Sequence, residues 1–187
     1  MMRKLGMLFA LVAAPVAAQD FSEGSNAKSW NLYAEVPAKF EARVVDVLCE
    51  LTGDCSDDCG AGSRQMGLVR TADDVLVLAM KNSQPAFTGA SEELAPFCNQ
   101  IVEVDGLMLE DEDLGASNVY LVQRIKSADA DWIKANKWTK KWAAKYPEAK
   151  GKGPWFRRDP RIKEIIGIEG YLGLGLEEDA TYAEENF

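Results

Sequence analysis

Between Phe40 and Lys126 the chain alternates apolar and polar residues in short runs broken by glycine- and acid-rich connections. A two-residue period builds half-buried strands, so this stretch predicts a mainly β domain. The first run places Val45, Val47, Cys49 and Leu51 on one side and Asp46 and Glu50 on the other, which points Cys49 toward the core. A loop follows over Thr52 to Ser63, with Gly53, Gly60 and Gly62 among acids and two cysteines. Arg64 to Arg70 and Val75 to Met80 flank a connection of hairpin length, Thr71 to Asp74. Ser91-Glu92-Glu93 offers a cap and first-turn acids for one or two helical turns before Cys98. Gln100 to Glu110 and Val119 to Ile125 supply two more strands.

The order of strand, two-stranded hairpin, short helix and final hairpin resembles the OB-fold. There a five-stranded barrel is plugged by a helix between its third and fourth strands. Glu103-Val104-Asp105-Gly106-Leu107, followed by Tyr120 to Ile125, resembles the closing strands of small exported bacterial OB-like proteins. The resemblance covers about residues 40–126 and implies a barrel, not an activity, because this architecture hosts many functions.

Residues 1–18 have the order of a cleavable export signal. Arg3 and Lys4 come first, then an apolar run from Leu5, then Val16-Ala17-Ala18. Residues 19–39 read as a polar lead-in that Trp30 and Tyr33 would pin down, and no later segment has the length and apolarity of a membrane span. The expected location is the bacterial periplasm, an oxidising compartment in which cysteines pair.

Four cysteines, Cys49, Cys55, Cys59 and Cys98, allow three disulfide patterns, and the sequence alone leaves all three open. Strands one and four are neighbours in an OB barrel, so the resemblance favours Cys49 with Cys98 and Cys55 with Cys59. The same four sulfurs, as thiolates, would suit copper(I) or zinc, and the Cys55/Cys59 pair is a candidate for thiol-disulfide chemistry. Asp54, Asp57 and Asp58 oppose that last reading by disfavouring thiolates. The chain has no histidine, which removes Ser-His-Asp and Cys-His catalysis and imidazole metal sites. No catalytic residue and no cofactor is expected.

Charge is segregated along the chain. Residues 41–115 carry sixteen acids against four bases, whereas 126–163 carry twelve bases against four acids. That asymmetry excludes the barrel as a nucleic-acid surface and directs attention to the extension, residues 127–176. Asp129 is read as the cap of a helix running to Tyr146, with Trp132, Ala135, Trp138, Trp142 and Tyr146 on one face. Beyond it Trp155, Phe156, Arg157, Arg158 and Arg161 combine rings with guanidinium groups, the expected contact site for an acidic periplasmic protein. Gly170 to Leu176 reads as a turn-bearing segment and 177–187 as a mobile acidic tail. A non-catalytic binding or accessory protein is the function expected.

Overall fold

The computed structural model describes residues 20–31, 33–80, 89–113 and 115–186. The expected export signal lies outside them. The strands are β1 (Glu35–Asp46), β2 (Met66–Arg70), β3 (Leu76–Met80), β4 (Ile101–Asp111), β5 (Ala116–Ser127) and the two-residue β6 (Ile133–Lys134). They pair in the order β3-β2-β1-β4-β5-β6, and a parallel pairing of β3 with β5 closes the first five into a barrel. Short helices α1 (Val47–Thr52) and α2 (Gly89–Leu94) sit within the barrel sequence. The topology is mainly β and compatible with an OB-like fold, with α2 between β3 and β4 as expected.

Alternation fills the barrel. Ala42, Val44, Leu68, Val77, Val104 and Ile125 are buried, and α2 adds Ala90 and Leu94 to the same core. Each fully buried Val or Leu contributes about 2 kcal/mol by leaving water. Tyr120 is buried too, and its hydroxyl donates to the Ala38 carbonyl at 2.8 Å. Burial pushes the phenol well above its ordinary pKa, which keeps it a neutral donor. At Gly106, where the β4–β5 register shifts, a Cβ would run into the Leu121 carbonyl oxygen.

The first strand departs from expectation at both ends. It begins at Glu35, inside the stretch read as lead-in, because residues 35–43 pair along β4. It stops at Asp46, where the buried carboxylate accepts from Leu48 N–H at 2.9 Å and starts α1. Arg64 holds the same carboxylate at 2.9 Å, and Gly53, at φ 77°, ends the helix. Cys49 therefore sits half-buried on a helix and does not face the core.

Before β1, the 20–31 segment is strapped over β4 and β5. Ser25 Oγ and Asn26 N–H donate to Asp105, at 2.6 and 3.0 Å. Lys28 exchanges two backbone hydrogen bonds with the Gln123 amide, at 3.1 and 2.8 Å. Trp30 packs on Leu107, Leu109 and Leu121 as expected of a pin, whereas Tyr33 is exposed. Burial works to raise the Asp105 pKa, but its bonds to Ser25, Arg124 and Asn26 outweigh it and hold the carboxylate below its usual range.

Candidate functional site

The extension contains α3 (Trp138–Lys145), α4 (Pro160–Glu169) and α5 (Leu176–Asn186). The long helix expected from Asp129 is absent. Ile133 and Lys134 pair instead with the open edge of β5, opposite Ile125 and Arg124. Trp132 lies outside the helix, with the cationic groups of Arg124, Lys126 and Lys39 at 4.7, 5.3 and 5.9 Å from its ring. The first turn of α3 is capped from a distance. Glu93 of α2 accepts the Lys137 N–H at 3.0 Å and pairs with Lys141 at 3.1 Å.

Trp138, Trp142 and Trp155 form a small core of their own, with Trp155 ring centroids 5.7 Å from Trp138 and 5.9 Å from Trp142. Trp142 Nε1 donates to Asp159 at 2.6 Å, and the same fully buried carboxylate caps α4 through the Arg161 N–H at 2.9 Å. Arg161 also forks its guanidinium onto Asp159, at 3.1 and 3.0 Å, and reaches Glu92 of α2 at 3.2 Å. Burial alone would raise the Asp159 pKa. The bonds from Arg161 and Trp142 prevail and hold it below the usual carboxylate range.

The five expected contact residues therefore separate. Trp155 is core, and Arg161 ties α4 to the plug helix. Arg158 stacks on Trp142 at 5.0 Å and donates to the Ala149 carbonyl at 3.0 Å. Phe156 and Arg157 remain at the surface of a groove of about 630 Å³, together with Ile162, Ile165, Ile166, Tyr171 and Leu172. Arg157 is exposed and carries no ion pair among the described residues.

The apolar wall of this groove was not visible as such in the sequence. Ile162, Ile165 and Ile166, in a helix opened by Asp159-Pro160, were the available signal. In the fold Ile162 packs on the tryptophan core and Ile166 is half-buried, but Ile165 and Ile168 are left exposed. Seven of the fourteen exposed large apolar side chains among the described residues fall within 165–182, with Tyr171 81% and Ile168 69% exposed.

These side chains are presented on a constrained backbone. Asp179 accepts the Leu172 and Leu174 N–H groups at 2.6 and 3.2 Å, and Gly175 N–H donates to Glu169 O at 2.8 Å. Gly170 adopts φ 84°, and a Cβ there would strike the Asp179 carboxyl group. The segment read as a turn is thus a fixed α4–α5 hairpin, and the expected mobile tail is helix α5.

All four cysteines are in disulfides, but not in the favoured pattern. Cys49 joins Cys55, and Cys59 joins Cys98. The end of β1 at Asp46 is the reason: α1 turns Cys49 back toward its own loop, while the helical turn at Cys59 buries that residue in the barrel core beside the plug. With every sulfur bonded to another, the four-thiolate arrangement would require opening both bridges. Among the described residues no group of three or more Cys, Asp or Glu side chains is placed to hold a metal ion.

No described helix is long and apolar enough to cross a membrane. Comparisons with models of known protein families, with curated proteins and with solved structures find no match for this chain.

Proposed function

We propose that this chain is an exported, non-catalytic accessory component of a protein assembly, with the barrel as scaffold and the α4–α5 hairpin as contact surface. One observation carries the reading: Ile165, Tyr171 and Leu172 are exposed around one groove, and Asp179 fixes the backbone at Leu172. Contiguous apolar surface of this kind on a folded domain marks an interaction site. Phe156 and Arg157 border it, so the expected basic-aromatic site is retained in part and extended by the hairpin. Arg157 and Lys163 at the rim favour carboxylates on whatever segment occupies the groove. Export to the periplasm is supported by the signal-like order of residues 1–18 and by two disulfides, which form and persist in oxidising compartments.

The test uses the Tyr171→Ser/Leu172→Ser double variant. After mild cross-linking in exporting cells, the native protein should migrate as a discrete complex. The variant should migrate at its own mass with an unchanged circular dichroism spectrum. A native chain that migrates alone, or a variant that keeps the complex, overturns the proposal.

A further inference from the structure

The hairpin carries unpaired charge of both signs, and that identifies its occupant. On α5, Glu177, Glu178, Glu184 and Glu185 are exposed and make no ion pair among the described residues, and the helix holds no base. Arg157 and Lys163 line the groove together with Glu169, Lys145 follows on the adjoining surface, and the three bases are exposed without an ion pair among the described residues. The chain therefore leaves the acids of α5 and the bases of the groove without ion pairs among the described residues, and in sequence the exposed apolar side chains from Ile165 to Leu176 lie between Lys163 and Glu177.

A uniformly acidic protein or an anionic lipid surface would meet the carboxylates of α5, and a uniformly basic partner would meet Arg157 and Lys163. Like charges brought together in this way oppose association. A surface that presents both signs flanking an apolar centre is self-complementary about a two-fold axis. Each residue contact then occurs twice, so one geometry satisfies both charge sets. On this basis, and resting on the contact surface proposed above, we infer that the groove is occupied by the α4–α5 hairpin of a second copy of this chain. Tyr171, Leu172 and Ile165 of the two copies pack at the centre, and the α5 carboxylates of each lie over Arg157 and Lys163 of the other.

Sedimentation velocity on the exported protein, from about 1 µM to about 500 µM, tests this directly. The native chain should pass from monomer to dimer, with the transition moving to higher concentration as salt is added. Arg157→Glu/Lys163→Glu should weaken self-association by about tenfold or more, as should Glu177→Lys/Glu178→Lys. Mixing the two variants should restore the dimer, because each reversed patch then faces a complementary one. A native chain that stays monomeric over the whole range overturns the inference, as does a dimer that charge reversal leaves unmoved. If the chain stays monomeric while Tyr171→Ser/Leu172→Ser still releases it from the cellular complex, the second copy is refuted and the contact surface stands. If that variant changes neither result, both fall.

Discussion

At Asp159 a single carboxylate serves three donors: the Trp142 indole, the first-turn N–H of α4 and the Arg161 guanidinium. Asp159→Ala removes a cap and strands a buried indole N–H, which should cost about 3 kcal/mol in urea unfolding followed by tryptophan emission. An unchanged midpoint would show that this network does not hold the extension together. Gly106 is the corresponding position in the barrel. Gly106→Ala pushes a methyl group into the Leu121 carbonyl, and a loss of about 2 kcal/mol or more is expected from the overpacking. Neither dependence was readable from the sequence. Asp159-Pro160 signals a helix start, but nothing local announces that the carboxylate also meets Trp142, and Gly106 looks like any strand glycine until β5 is laid beside it.

The five barrel strands were legible because alternation is written residue by residue, and the short helix between β3 and β4 was expected too, although it starts at Gly89 and not at a Ser91 cap, the Ser91 hydroxyl instead accepting the Met66 N–H. What failed was long-range. Trp132 to Tyr146 carries a convincing three-and-four spacing, yet the open edge of β5 recruits Ile133 and Lys134 into a strand, and α3 takes its cap from Glu93 on another element. The disulfide pattern failed for the same kind of reason, since it depends on whether β1 continues past Asp46. The observed pattern has energetic consequences of its own. The Cys49–Cys55 bridge spans 6 residues and Cys59–Cys98 spans 39. By loop-closure entropy, replacing the first pair with serine should cost roughly 2 kcal/mol and the second roughly 4 kcal/mol. Thermal melts of the two double variants should rank in that order. Equal losses would mean that the α1 bridge constrains more than its own loop.

Across the molecule, charge and apolar surface are arranged on different plans. Asp105 straps the N-terminal segment onto the barrel and Asp159 anchors the extension, and both are held below the ordinary carboxylate range. A depressed folded-state pKa gives stability that is present above the unfolded value and lost as pH falls through the folded one. Urea midpoints should therefore be nearly flat from about pH 6 to pH 8, where a chain without histidine has few groups to titrate, and should fall below about pH 4. Asp105→Asn should flatten that acid limb, and a limb of unchanged steepness would show that Asp105 does not contribute to it. The acidic barrel and basic extension are partly reconciled within the chain by Lys141–Glu93 and Arg161–Glu92, while the hairpin keeps its own charges and apolar groups outward.

On the proposed reading the barrel is the scaffold and the hairpin is the contact surface. The decisive measurement places a photo-activatable side chain singly at Tyr171, Leu172 and Ile168, and at the exposed barrel positions Thr71, Glu41 and Leu78, in exporting cells. Discrete adducts are expected from the three hairpin positions and none above background from the barrel. Adducts confined to the barrel, or equal from all six positions, would contradict that reading.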